Sequence, residues 1–271
     1  MGKKSVLAIG IVLTFLCIIV TASCNKTEVD SNTTTCTDNA LAEIEFLRPV
    51  LMINTIMLKA SEAKGVARVL SGGYPNITVG DTTQGWPRTL TIDYGPGVVD
   101  SSDGRTRSGI ITIVLSNYWH DNNSTATITY TNYCVNSINY KGTVVLTRNS
   151  DSIVSEEVQN GICAPSGVAS PILYACSTVF TWMQGAGDST LSHSVYSIGG
   201  SVAGTDRNKV NYTVTISKSL IRSGSCGYIT QGTEVITPAG LAIRTVDYGS
   251  GNCDNLASVT INGNSFPITL Q

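Results

Sequence analysis

Thr125-Ala126-Thr127-Ile128-Thr129-Tyr130 sets the reading of the chain. Successive side chains of an extended strand point to opposite faces, so this alternation places Ala126, Ile128 and Tyr130 on one side and three threonine hydroxyls on the other. That is a half-buried strand. The same composition recurs in short runs on both sides of it. Ile77–Val79, Thr89–Tyr94, Gly109–Leu115, Thr125–Tyr133 and Gly142–Thr147 come first, then Val210–Ser217, Thr233–Ile236, Leu241–Tyr248, Ser258–Ile261 and Phe266–Leu270. Each is rich in Val, Ile, Thr or Tyr and is bounded by Gly, Asn, Asp or Pro. Asn262-Gly263 between the last two is a strong hairpin signal. No helical pattern separates the runs, so the connections are antiparallel rather than βαβ crossovers. The expected fold is mainly β: antiparallel meander sheets forming a sandwich or an open barrel.

One helix is expected ahead of the sheet. Ala40, Leu41, Ile44, Leu47 and Leu51 recur at helical spacing, with Asp38 as a candidate cap and Glu43 and Glu45 placed toward its start. Pro49 falls inside the pattern and should kink the helix or restart it. The apolar run from Met52 suits a helix packed against a sheet. An echo links Leu90-Thr-Ile-Asp93-Tyr94-Gly95-Pro-Gly97 to Arg244-Thr-Val-Asp247-Tyr248-Gly249-Ser-Gly251, and Gly142-Thr-Val-Val to Gly232-Thr-Glu-Val. The expected domain, 38–271, therefore divides into two meander halves at about 38–165 and 166–271.

The N-terminus speaks to location. Lys3 and Lys4 precede an uncharged apolar run, Val6–Val20, which is too short to span a bilayer comfortably and suits the core of an export signal. Thr21-Ala22-Ser23-Cys24 follows, and it resembles the lipobox of bacterial lipoproteins. The resemblance implies cleavage of a 1–23 signal peptide and acylation, palmitate included, at Cys24. A large aliphatic usually stands where this chain has Thr21. Each buried acyl methylene contributes roughly 0.8 kcal/mol to membrane attachment. The alternative is an ordinary signal cut after Ser23. Residues 24–37 are polar and read as a flexible tether. Asn25 is not the Asp that holds some lipoproteins at the inner membrane, so the analogy implies the outer membrane of the cell envelope, on either face.

Composition narrows the function. Without Lys3 and Lys4 the chain has 15 basic and 19 acidic residues, a net charge near −4, which argues against a nucleic-acid partner. Beyond Cys17 and Cys24, six cysteines remain in an exported chain, and an even count suggests disulfides. Cys226 with Cys253 is the preferred pair; the pairing of Cys36, Cys134, Cys163 and Cys176 stays open. His120 and His193 are the two histidines and neither has a cluster of ligands near it, so neither a metal nor a cofactor is expected.

The most distinctive text is Trp86-Pro-Arg-Thr-Leu-Thr-Ile-Asp-Tyr-Gly95 with Asp103-Gly-Arg-Thr-Arg-Ser-Gly-Ile110, joined by Val246-Asp-Tyr-Gly-Ser-Gly-Asn-Cys-Asp-Asn255 and Ile261-Asn-Gly263. It resembles a family of Bacteroidetes-type, all-β envelope lipoproteins. The resemblance covers most of the chain after Tyr74 and implies an envelope location but no activity. Relatives often carry a cysteine soon after the first Asp-Tyr-Gly, where this chain has Val98 and Val99.

Residue by residue, structural readings outweigh chemical ones. Asp93 and Asp247 would suit the paired acids of glycoside hydrolysis, but the glycines that follow them favour turns. Arg105 and Arg107 stand two apart on one strand face and suit either pairing with Asp93 or Asp100, or gripping an anion. Trp86 is a third candidate ligand-binding residue. Tyr118, Trp119, Trp182 and Tyr196 suit the core. His193 beside Ser192 and Ser194 lacks the elbow and orienting acid of a nucleophilic site. The expectation is a non-catalytic binding or structural lipoprotein that meets the membrane through its lipid and partners other envelope proteins or glycans. A glycan hydrolase using Asp93, Asp103 or Asp247, and an adhesin or fibre subunit, are the alternatives.

Overall fold

A computed structural model describes residues 30–61, 68–69, 74–80, 85–101, 103–188 and 190–271. The signal, Cys24 and the first part of the expected tether lie outside the described residues. Two helices, α1 (Thr34–Phe46) and α2 (Arg48–Ser61), precede fifteen strands. These are β1 (Arg68–Val69), β2 (Asn76–Val79), β3 (Arg88–Asp93), β4 (Val98–Val99), β5 (Thr106–Leu115), β6 (Thr125–Val135), β7 (Ile138–Ser150) and β8 (Ile153–Pro165). They continue as β9 (Ile172–Gln184), β10 (Val195–Thr205), β11 (Asn211–Ser223), β12 (Gln231–Pro238), β13 (Arg244–Ser250), β14 (Leu256–Ile261) and β15 (Asn264–Thr269).

The chain is mainly β, and the strands form one large antiparallel sheet in chain order, with β4 as a short branch on β5. The sheet does not close on itself among the described residues. Its strands alternate as the sequence of β6 implies. In β9, Ile172, Tyr174, Cys176, Thr178, Phe180 and Trp182 face inward while the intervening residues face solvent. Three of the longest strands, β8, β9 and β10, fill the stretch between Thr147 and Val210 where the sequence reading placed none. The ladder between β8 and β9 runs from Ile153↔Thr181 to Cys163↔Ile172, so strands on either side of position 165 pair directly. Asn262 and Gly263, both at positive φ, form the two-residue turn between β14 and β15.

The helical region departs from expectation in two ways. There are two helices, broken at Leu47, and Pro49 falls in the first turn of α2, where a missing N–H costs no helical hydrogen bond. The helix also begins at Thr34, so the last residues of the expected tether are its first turn. Asp38 does not cap it: it lies inside α1, fully buried, where its carboxylate accepts from the guanidinium and backbone N–H of Arg207. Glu43 and Glu45 lie in the last turn of α1 rather than near its start, and their surroundings govern them, not the helix dipole.

Helix α1 is buried almost all round. Phe46 stacks on Tyr174 at 5.4 Å and meets Tyr130 and Tyr140 edge-on at 5.9 Å each. Burial of each large apolar side chain along α1 and α2 stabilises by about 1.5–3 kcal/mol. To surround a helix the sheet must bend, and bulges supply the bends. The repeated Gly-Thr-x-Val segments sit at two of them. Gly142 (φ 129°) marks the register break between β7 and β8, and Gly232 (φ 112°) the break between β12 and β13. A Cβ at Gly142 would come 2.9 Å from the Gly161 Cα, and one at Gly232 would come 2.5 Å from the Ser219 carbonyl oxygen.

Of the six cysteines, one pair is joined. The sulfurs of Cys226 and Cys253 are 2.10 Å apart with Cα atoms at 5.8 Å, as the preferred pairing expected. Cys36, Cys134, Cys163 and Cys176 are unpaired, against the expectation from an even count. Strand register explains this. Cys134 lies opposite Ser108 and Asn139, Cys163 opposite Tyr140 and Ile172, and Cys176 opposite Val158 and Val202.

The core also holds three carboxyl groups, Glu43 on α1, Glu156 on β8 and Glu234 on β12, each fully buried. Glu234 accepts from Tyr248 (3.0 Å) and Asn39 (3.3 Å), and Glu156 from Thr178 (2.9 Å). The second oxygen of each has no partner, and none of the three has an ion pair among the described residues. Burial pushes the pKa of Glu156 up to about 8. Burial, then the neighbouring Glu234, raises that of Glu43. The unfolded chain ionises these groups first, near 4.5. For Glu156, stability therefore falls as pH rises from there to about 8, by up to about 1.4 kcal/mol per pH unit, and Glu43 acts in the same direction. Thermal unfolding midpoints measured from pH 5 to 8 should decline, and Glu156→Gln should flatten part of the slope. An unchanged slope in that variant would rule out a neutral Glu156.

Candidate functional site

The site is built from the start of β5 and the separation of β6 from β7. Val98 and Val99 pair with Arg107 and Thr106, and Asp100 N–H donates to the Arg105 carbonyl at 2.8 Å, closing a hairpin that turns at Asp103-Gly104. This turn folds Asp103 back over the arginines that follow it. Arg107 grips Asp103 with two parallel hydrogen bonds of 2.7 Å each. Its guanidinium also donates to Glu45 of α1 (3.0 Å) and to the Tyr133 hydroxyl (3.1 Å), while that hydroxyl donates to Glu45 at 2.5 Å. Arg48 of α2 adds ion pairs with Asp100 and Asp103.

The charges are matched in a nearly dry setting. Burial works against the carboxylate of Asp103, but the Arg107 hydrogen bonds and the charges of Arg48 and Arg107 outweigh it and hold its pKa well below the usual range. Burial likewise opposes the charge on Arg107, and Glu45 and Asp103 overcome it, raising its pKa. Arg222, beside them, donates to the Ile44 carbonyl (3.2 Å). Burial first, then Arg48 and Arg105, lowers its pKa to about 10.

Arg105 ties the β4–β5 hairpin to two later parts of the chain. It donates to Asp103 (3.0 Å), to the Gly227 carbonyl (3.2 Å) and to the Gln271 carbonyl (2.6 Å), and it lies 5.1 Å from the Tyr228 ring centroid. Gly227 neighbours the Cys226–Cys253 bridge. The start of β5 and the last residue of the chain are thus clasped by one guanidinium.

The second part is an opening. The β6–β7 ladder pairs Thr129 with Thr143 and resumes at Cys134 with Asn139, so Tyr130–Tyr133 and Tyr140–Gly142 face each other without register partners. Asn132 sits there in the left-handed region (φ 50°), which Asn tolerates better than most residues. A cavity of about 710 Å³ occupies the gap. Its lining includes Tyr130 and the buried Tyr133 and Tyr140, the polar Asn132, Asn139 and Lys141, and the apolar Ile162, Pro165, Val168 and Pro171, with Lys141 paired to Ile162 across the β7–β8 ladder. Tyr140 also lines a second cavity of about 360 Å³, which reaches Glu45, Asp103, Arg105 and Tyr228. The ion cluster therefore lies directly behind the tyrosines of the groove.

The three residues singled out as ligand-binding candidates are not brought together. Arg107 is fully buried with its donors engaged inside the protein, which matches the pairing reading, with Asp100 at 3.5 Å. Arg105 lines the smaller cavity. Trp86 lies beyond the opposite end of β5, since Arg88 pairs with Leu115, roughly 25 Å along the strand from Arg107, and it stacks under Arg88 at 4.3 Å. Asp93 and Asp247 each accept the N–H two residues on, Gly95 at 2.7 Å and Gly249 at 2.8 Å, as the turn reading expects. Neither Asp93 nor Asp103 lines the cavity beside Asp247. Trp119, Trp182 and Tyr196 are in the core. Sequence reasoning missed the groove residues; the signal it passed over is three tyrosines between positions 130 and 140.

Replacing Arg107 with Met should cost about 3–5 kcal/mol at neutral pH, because Asp103 and Glu45 would be left buried beside too few cations. Tyr133→Phe should cost about 1–3 kcal/mol, through the two charge-assisted bonds its hydroxyl makes, one accepted from Arg107 and one donated to Glu45. The Arg107→Met deficit should shrink as pH falls through the carboxylate range, where Asp103 gives up its contribution even in the parent. Urea unfolding at pH 7 and at about pH 2.5 measures both. A loss under about 1 kcal/mol at pH 7 would mean that the cluster is not buried as described.

Three comparisons bear on identity: no family model, no curated protein and no solved structure matches this chain.

Proposed function

We propose that this chain is an exported lipoprotein of the bacterial envelope, anchored by acyl groups on Cys24, whose sheet domain binds a partner rather than transforming a substrate. The location rests on the leader, on Thr21-Ala22-Ser23-Cys24 and on the resemblance to envelope lipoproteins. No described helix is long and apolar enough to cross a membrane. The binding role rests on one observation. The carboxylates that hydrolysis would require are engaged in turns and ion pairs, whereas the groove between β6 and β7 is lined by tyrosine, amide and apolar side chains with a lysine.

The anchor would hold the domain close to the bilayer. Arg244 is fully buried and binds Asp30 at 3.0 Å, which fixes the chain six residues after Cys24. Six residues extend at most about 20 Å. The expected tether is thus shortened by the fold itself.

Mass spectrometry of the mature N-terminus should find a lipid-modified Cys24 as the first residue. Cys24→Ser should abolish incorporation of a palmitate analogue and move the protein out of the membrane fraction. An unmodified amine at the mature terminus, or a retained leader, would discard the lipoprotein reading.

A further inference from the structure

The groove between β6 and β7 has chemistry specific enough to name a ligand class. Its lining is mixed. Ile162, Pro165 and Pro171 give apolar surface, and the exposed Asn139 and Lys141 lie beside it on β7, Lys141 directly opposite Ile162 in the β7–β8 ladder, with Asn132 on β6. Among the described residues, none of these three polar side chains has a hydrogen-bond or ion-pair partner, and Lys141 is the one charged residue in the lining. The lining includes Tyr130, whose hydroxyl is buried and also without a partner. A groove of 710 Å³ is within the size range of small-ligand sites.

From this geometry we infer that the groove binds a carboxylated saccharide, an inference that rests on the binding role proposed above. A pyranose ring has an apolar C–H face and an edge of hydroxyls that both donate and accept. The apolar residues of the lining suit the first. The two primary amides suit the second, because each offers a donor and an acceptor side by side. Lys141, an ammonium with three donors and no ion pair, supplies the counter-charge for a uronate carboxylate. An acyl chain would need apolar lining throughout, and here amides and an ammonium are interleaved with it. A nucleic acid would need many cations where the groove has one.

The test uses the full acylated chain in detergent micelles and titration calorimetry with three probes: an oligogalacturonate, a neutral galactose oligomer of equal length, and a short oligoglutamate peptide. The oligogalacturonate should bind saturably and the neutral oligomer about tenfold or more weakly, the worth of one charge-assisted hydrogen bond. Lys141→Glu should weaken the oligogalacturonate by at least that factor, about tenfold, and Asn139→Ala by less. Lys141→Arg should retain binding. Lys141 is exposed, so its variants should unfold at the parent temperature, which confirms that lost binding is not lost folding. If the peptide binds with the same Lys141 dependence and the sugars do not, the saccharide class is wrong and the binding role stands. Oligogalacturonate binding indifferent to Lys141→Glu, or no binding by any probe, overturns the site. The state of Cys24, read separately by mass, judges the envelope assignment.

Discussion

Helix α1 is enclosed by the sheet, and it carries polar side chains into that enclosure. Thr35, Asp38, Asn39, Glu43 and Glu45 are all buried. A buried polar group without a partner costs roughly 1–3 kcal/mol, so the sheet must present a matching group at each position. It does so for Thr35, Asp38, Asn39 and Glu45 from widely separated strands, while Glu43 keeps one oxygen without a partner. Asp206 and Arg207, between β10 and β11, meet Thr35 and Asp38; Glu234 of β12 meets Asn39; Arg107 of β5 and Tyr133 of β6 meet Glu45. Apolar packing alone would tolerate rotation of the helix about its axis. These pairs do not, because a turn of the helix would strand several groups at once.

The same requirement shapes the sheet. An antiparallel sheet of this width has to curl to place β5, β8, β12 and β13 around one helix, and each bulge that bends a strand also removes ladder hydrogen bonds. Curvature without closure leaves two edges, β1 and β15. Arg105, at the start of the internal strand β5, reaches Gly227, next to the Cys226–Cys253 bridge, and Gln271 just past β15, so one guanidinium ties the β4–β5 hairpin to the β15 edge. On that edge, β15 carries Pro267, which removes a backbone donor that would otherwise invite pairing with another chain.

How much of this could be read from the sequence depended on whether the deciding contacts were local. The period-two pattern of 125–130, the turn at Asn262-Gly263 and the Asp-to-glycine turns at 93–95 and 247–249 depend on neighbours within a few residues, and all were legible. Strands β8 to β10 were not. In β9 the outward face carries Leu173, Val179 and Met183, so both faces look apolar and the alternation is masked. In β8 the inward Glu156 stands beside the outward Glu157, which reverses the usual sign of the pattern. In β10, Gly199-Gly200 reads as a turn but is strand, with the register break to β11 lying at that point. Asp38 has the right chemistry for a cap, yet its partner is Arg207, 169 residues away, and no local rule weighs that. The sequence pointed Arg107 to Asp93 or Asp100; Asp100 is an ion partner, Asp93 is held in its own turn, and the bidentate partner Asp103, only four residues away, was not named. Glu45 and Tyr133, which complete the cluster, lie beyond any local rule.

The groove belongs to the non-local class, and this explains why it sits where it does. Between Thr129 and Cys134, β6 must follow Gly109 of β5 on one side and Gly142 of β7 on the other, and both neighbours are bulged. A strand cannot keep full register with two partners that bend at different points, so the β6–β7 ladder gives way over Tyr130–Tyr133. The tyrosines that line the gap are held from behind: Tyr133 by Glu45 and Arg107, Tyr140 by edge-on contact with Phe46 of α1. A base pinned to the central helix and a rim shared by β6, β7 and β8 let the outward residues of the opening, Asn132, Asn139 and Lys141 among them, vary without disturbing the core.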